Sequence, residues 1–155
     1  MGQMLSREGM PKPERAPKTD MDLIRECAEH VMGSLGTGHR ESVYHKAMMV
    51  RFNHMGVQYR SEVVTPVMFM GECVGIGRAD LILGDTIVEI KAVSSCPKGV
   101  SGQVKKYVES MEAVCSRQCE GVVVNFNQST GRADVRAERK LEHEQPAVKR
   151  SRFFH

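Results

Sequence analysis

The chain contains no tryptophan, and aromatics make up only 5% of its 155 residues. Its core must therefore be filled largely by aliphatic side chains and methionines, of which there are eleven. Methionine is unbranched and adapts to irregular gaps, so a somewhat plastic core is expected. No apolar run approaches the about 18 residues of a membrane span. No secretory core stands at the start either. Cysteine is scarce and badly spaced for scaffolding. Five stand at positions 27, 73, 96, 115 and 119, an odd count with no Cys-x-x-Cys. No Cys/His set has zinc spacing, and Cys115-x-x-x-Cys119 could bind a metal only with further partners. Free thiols in a reducing compartment are expected. The net charge is +3, which permits an anionic partner without demanding one.

What remains is an ordinary globular composition, 41% hydrophobic and 26% charged. The length suits one domain with a modest core. Residues 1–18, with Pro11, Pro13 and Pro17, read as a disordered leader. Residues 19–138 carry the domain, and 139–155 form a basic flexible tail. The opening MGQMLSR fits the N-myristoylation pattern at Gly2, with Ser6 in place. So short a pattern matches easily by chance, and one myristoyl chain anchors only marginally. In the tail, Arg139-Lys140 and Lys149-Arg150-Ser151-Arg152 suit a nuclear address or a nucleic-acid contact. Phe153-Phe154 suits docking on a protein partner. An intracellular location, cytoplasmic or nuclear, is the expectation.

Helical spacing of Leu23, Ile24, Cys27, Ala28, Val31, Met32 and Leu35 predicts a helix over about 20–35, capped by Thr19 or Asp20. A second helix is predicted over about 40–55, with one apolar stripe at Val43, Ala47 and Val50. Its neighbouring stripe is Tyr44, Met48, Phe52 and Met55. Strands are predicted over 58–70, 73–83 and 86–92, with turns at Gly71-Glu72 and Gly84-Asp85. Pro66 marks an edge or a bulge. A third helix covers about 101–116, with Val104, Val108, Met111 and Cys115 inward. Strands over 121–126 and 132–138 follow. The order α-α-β-β-β-α-β-β predicts an α/β sandwich with a mixed central sheet flanked by helices.

The hairpin RADLILGDTIVEIKAV, 78–93, poses a question of charge. A Gly84-Asp85 turn pairs Leu83 with Thr86. The same register sets Asp80 opposite Glu89 and Arg78 opposite Lys91. Alternation puts Ala79, Leu81, Leu83, Val88, Ile90 and Ala92 on one apolar face. The other face holds Arg78, Asp80, Ile82, Ile87, Glu89 and Lys91. Two facing carboxylates repel. A divalent cation reverses that repulsion, and Mg²⁺ favours one or two protein carboxylates with waters and phosphate oxygens. A lysine beside them can stabilise negative charge or help activate a metal-bound water. The set suits phosphodiester hydrolysis. An Asp–Lys or Glu–Arg ion-pair cluster on a solvated sheet face is the simpler alternative.

Gly77-Arg78-Ala79-Asp80 followed by Glu89-Ile90-Lys91 resembles the core of the PD-(D/E)XK nuclease superfamily. Gln103-Val104-Lys105-Lys106-Tyr107 resembles the Q-x-x-x-Y motif of its RecB-like members. Gly38-His39-Arg40-Glu41-Ser42-Val43-Tyr44 is similar to the signature of the small GxxExxY proteins within it. The family proline before the aspartate is absent, as it often is in this superfamily. The resemblance covers about 20–137 and implies a PD-(D/E)XK nuclease-like α-β sandwich. It implies Asp80, Glu89 and Lys91 as catalytic, with Asp80, Glu89 and Glu41 holding Mg²⁺ or Mn²⁺. Gln103 and Tyr107 would position a phosphate or a base. Arg78 either contacts phosphate or pairs with Glu89. The implied activity is cleavage of nucleic acid, expected to be DNA, in repair, recombination or replication; a homodimer is compatible with it. The alternative is a non-catalytic nucleic-acid or protein-binding module on the same scaffold.

Overall fold

The structure, a computed structural model, describes residues 16–138. Gly2, most of the leader and the tail from 139 onward lie outside the described residues. Eight elements follow in the predicted order. They are α1 (Asp20–Leu35), α2 (Glu41–Met55), β1 (Arg60–Phe69), β2 (Glu72–Leu83), β3 (Thr86–Lys91), α3 (Gly99–Cys115), β4 (Glu120–Phe126) and β5 (Ala133–Glu138). None of the described helices is long and apolar enough to cross a membrane.

The five strands form one sheet in the order β1-β2-β3-β4-β5. Among the described strands only β3 and β4 are parallel neighbours, joined through α3 as a β-α-β unit. The other neighbours are antiparallel. The sheet is mixed, as expected. α1 and α2 cover one face, where Ile24, Cys27, Tyr44, Met48 and Phe52 pack on Leu81, Leu83, Val88, Ile90, Val122 and Val124. α3 covers the other, where Val100, Val104, Tyr107 and Val108 meet Ala79, Ile82, Ile87 and Val123. The fold is an α/β sandwich with a mixed central sheet.

Local chemistry explains the ends. Thr19 caps α1 in a capping box with Asp22. Gly84 carries the positive φ, 52°, that a Gly-first hairpin turn needs. The preceding hairpin turns at Met70-Gly71, one residue earlier than predicted, because both take positive φ (49° and 84°). In α2 the stripe Tyr44, Met48, Phe52 is buried, while Val43 and Val50 stay exposed. Pro66 does lie on the edge strand, next to a register shift between Val67 and Met68.

Extrapolating the hairpin register past Leu81 fails. The β2–β3 ladder runs only from Leu83↔Thr86 to Leu81↔Val88. Beyond it Asp80 does not face Glu89 as a strand pair, nor Arg78 Lys91. The β1–β2 ladder passes from Ser61↔Leu81 to Val63↔Ala79 and skips Glu62 and Asp80. Glu62 there has φ 50°, a strained value for a residue with a side chain. So both strands turn at one level. Alternation resets: Leu81 packs with α1 and α2, whereas Ala79 packs against α3. Ala79 therefore lies on the face opposite to the one predicted.

Candidate active site

Asp80 stands where β2 parts from β3 and is skipped in the ladder with β1. Its Oδ2 accepts the Ile90 N–H at 2.7 Å. That bond replaces the backbone carbonyl the departing strand no longer offers, so the break in the sheet is satisfied by a carboxylate. Glu89 lies on β3, buried to 3% exposure. Lys91 reaches back along the strand and donates to Glu89 Oε1 at 2.8 Å. Glu41, at the first turn of α2, places Oε1 3.8 Å from the Lys91 Nζ. Glu41, Asp80, Glu89 and Lys91 thus come to one end of β3 from three elements.

The electrostatics are unfavourable as they stand. Three carboxylates share one ammonium. Burial pushes the Glu89 carboxyl above its ordinary 4.5; the nearby Asp80 and Glu41 charges add to this, against the Lys91 bond. Glu41 is raised too, first by burial and then by Asp80, with Lys91 opposing. Burial alone would lower Lys91, but the bond to Glu89 and the surrounding carboxylates carry it upward. Glu89 Oε2 is buried with no hydrogen-bond partner. A buried acceptor without a partner costs about 1–3 kcal/mol. A cation fits there, because it satisfies that oxygen and offsets the crowded charge. Among the described residues no three or more His, Cys, Asp or Glu side chains stand around one metal position. Two carboxylates, completed by water and phosphate oxygens, match what Mg²⁺ takes.

These raised carboxyls set a pH dependence. A carboxyl whose folded pKa exceeds its unfolded value binds protons more tightly when folded. Its charged form opposes folding, and the opposition fades as pH falls through the folded value toward the ordinary 4.5. In metal-free buffer the unfolding midpoint of the wild type, minus that of Glu89→Gln, should therefore grow as pH drops from neutral to about 5. A constant difference would show that Glu89 is not raised.

The remaining predicted residues are placed differently. Tyr107, on α3, is buried, and its hydroxyl accepts from Gln103 Nε2 at 2.9 Å and from the Arg78 N–H at 3.3 Å. Gln103 itself is exposed. The pair therefore braces the departing strand two residues from Asp80. The Arg78 side chain faces Glu62 at 3.7 Å rather than Glu89, in a largely exposed pair. Such a pair is worth about 0–1 kcal/mol. His39 lies edge-on to Tyr44, and His45 stands 3.4 Å from the Ser61 hydroxyl.

Two residues that hold this site in place carry no signature in the sequence. Asn125, opposite Lys91 on β4, clamps the chain beyond it: Oδ1 accepts from the Val93 N–H and Nδ2 donates to the Val93 carbonyl, each at 3.1 Å. Gln128 works on the other side. Its Oε1 accepts the Gly38 N–H at 2.7 Å, and its Nε2 donates to the Tyr44 hydroxyl at 3.2 Å. Tyr44 donates in turn to the Gly36 carbonyl at 2.7 Å, and its ring stacks on Phe126 at 4.4 Å. The loop before Glu41 is thereby tied to the turn after β4. Gln128→Leu leaves the exposed Gly38 N–H without that acceptor and should cost about 0.5–1.5 kcal/mol in denaturant unfolding. A loss within about 0.5 kcal/mol would mean water replaces the side chain there.

A family model for the PD-(D/E)XK nuclease superfamily matches residues 18–138. A search of curated proteins finds no match. Among solved structures, the crystal structure of a "Putative exonuclease" from Eubacterium rectale superposes with a TM-score of 0.43 at 14% identity. The match covers 79% of this chain, which spans 60% of that protein's length.

Proposed function

This chain belongs to the PD-(D/E)XK nuclease superfamily, and we propose that it hydrolyses phosphodiester bonds of nucleic acid, DNA in the first instance, with Mg²⁺ or Mn²⁺. On its Gly38-x-x-Glu41-x-x-Tyr44 and Gln103-x-x-x-Tyr107 motifs we assign it to the GxxExxY, RecB-like branch. We assign its role to repair, recombination or replication. The observation that carries the reading is the partnerless Glu89 Oε2, buried beside Lys91 and crowded by Asp80 and Glu41.

Asp80 and Glu89 would hold the ion, with Glu41 at its margin. When bound, the ion would polarise the scissile phosphate and acidify a water. The chain's own groups do the rest. Lys91, kept charged by its carboxylate neighbours, stabilises negative charge developing on the phosphate. Glu89 Oε1 fixes the direction of that ammonium. Gln103 and Tyr107 set the strand that carries Asp80, and the exposed Gln103 amide faces a substrate backbone.

A second reading is favoured by one observation. The β1–β2 hairpin beyond Asp80 exposes Phe69, Met70, Val74 and Ile76 at 63–88% of their surface. Apolar clusters of this kind mark interaction surfaces. They suit a binding module that has kept the nuclease scaffold. The deciding experiment is a cleavage screen on single- and double-stranded DNA and RNA, with Mg²⁺, Mn²⁺ or EDTA. Wild type should cleave one class with metal and none with EDTA. Lys91→Met should lose about 10²–10³-fold. Binding without cleavage in every metal would overturn the enzyme and leave the module.

A further inference from the structure

Away from the carboxylate site, α3 ends on Cys115, and Cys119 immediately precedes β4. Their Sγ atoms lie 3.9 Å apart. We propose that Cys115 and Cys119 form an oxidisable dithiol, in which a small hydroperoxide converts the pair to an intrachain disulfide across the α3–β4 turn and a thiol reductant reopens it.

The turn already holds the two sulfurs together. Ser116 reverses the chain with φ 53°, and its N–H donates to the Glu112 carbonyl at 2.9 Å. The Cys119 N–H donates to Glu112 Oε1, also at 2.9 Å. Both sulfurs converge on the Arg117 carbonyl, at 3.9 and 3.7 Å. A disulfide needs the sulfurs at about 2.0 Å, so the pair must close by about 1.9 Å. Among the described residues, no third His, Cys, Asp or Glu joins them as a metal cluster. A bond between the two thiols uses the pair as it stands.

The two thiols are unequal in the way such chemistry requires. Cys115 is partly exposed and Cys119 is buried. The Arg117 backbone holds Cys115 below the usual thiol range, opposed by burial and helped by the Cys119 thiol. Burial, and then Cys115 itself, pushes Cys119 up to about 11. Thiolate is the attacking form, so Cys115 reacts first. Its sulfur attacks one peroxide oxygen: an S–O bond forms, the O–O bond breaks, and the leaving oxygen takes a proton as water or alcohol. Cys115 is then a sulfenic acid. The Cys119 sulfur attacks the Cys115 sulfur, forming the S–S bond. The S–O bond breaks, and the hydroxide leaves as water with the Cys119 proton. Two thiols are oxidised and one peroxide is reduced.

The test uses the full chain, brief hydrogen peroxide, alkylation of remaining thiols, and trypsin without reductant. Cleavage after Lys106, Arg117 and Arg132 puts the two cysteines on different peptides, 107–117 and 118–132. The wild type should yield these as one linked species that dithiothreitol separates, while exposed Cys73 still alkylates. Cys119→Ser should instead accumulate a sulfenic acid on Cys115 that a cyclic dione labels. The peptide mapping on the wild type decides the matter even if that variant does not fold. Separate peptides, a link between two chains, or oxidation of Cys73 ahead of the pair would each overturn the proposal.

Discussion

Asp80→Asn is expected to abolish the rise in unfolding midpoint that Mg²⁺ or Mn²⁺ gives the wild type, while leaving the metal-free midpoint nearly unchanged. Asparagine keeps an oxygen where Asp80 Oδ2 accepts the Ile90 N–H at 2.7 Å, so the bond that closes the break in the sheet survives. Only the charge is lost. A metal that binds the folded state alone stabilises it by mass action, about 2.7 kcal/mol at 100 times its dissociation constant. Asp80→Ala behaves differently. It strands the N–H of Ile90, a fully buried residue, and should cost about 1–3 kcal/mol with or without metal. Thermal unfolding in EDTA and then in each metal separates the two variants. An equal metal response in wild type and Asp80→Asn would remove Asp80 from the ion's site. Cleavage of the substrate class found in the screen should disappear in both variants.

Much of this arrangement was legible in the sequence because it is local. Helical spacing found all three helices, and the capping pattern placed the start of α1. The Gly84 turn fixed the register next to it, and Leu83, Ile82 and Leu81 pair as that turn dictates. The turn could say nothing three residues on. Whether Asp80 stays in the ladder depends on β1, which kinks at Glu62, and on α3, which draws Ala79 to its own side. Those are contacts between distant parts of the chain, and no period of two encodes them. The carboxylates and the lysine nevertheless converge, because their side chains, and not the ladder, bring them together. Glu41 was reached only through its resemblance to a known motif, since nothing in its helix requires it to meet Lys91. Asn125 and Gln128 escaped for the same reason. Each is a single amide whose partners lie 32 and 90 residues away. A polar residue at the end of a buried strand, or in the turn just after it, is the only trace either leaves.

Gly77→Ala should couple to Tyr107 and be rescued by shrinking it. The reason for a glycine here is not conformational, since Gly77 is not among the glycines with positive φ. It is contact. A Cβ built on Gly77 would lie 2.4 Å from Cε1 of Tyr107 and 2.9 Å from its hydroxyl oxygen, closer than atoms pack. The buried ring cannot yield freely, because its hydroxyl holds both Gln103 and the Arg78 N–H. Overpacking of this kind costs about 1–3 kcal/mol. Displacing the ring also releases the strand that carries Asp80, so metal response and cleavage should fall with stability. A double-mutant cycle with Tyr107→Ala tests the geometry. The single Tyr107→Ala truncation is itself costly, but it empties the space the new methyl needs. The double variant should therefore lose less than the two singles together, by about 1–2 kcal/mol. Additivity within about 0.5 kcal/mol would mean the ring and the glycine are independent. Tyr107→Phe completes the series, for it keeps the ring and removes only the hydroxyl. If Gly77 is small so that Tyr107 can reach Arg78, Tyr107→Phe should lower cleavage and metal response, and Gly77→Ala should cost less in it than in the wild type, because the ring is no longer anchored by its hydroxyl. The glycine before the aspartate would then be the mark of a tyrosine thirty residues later, lying against the strand at the point where it must bend.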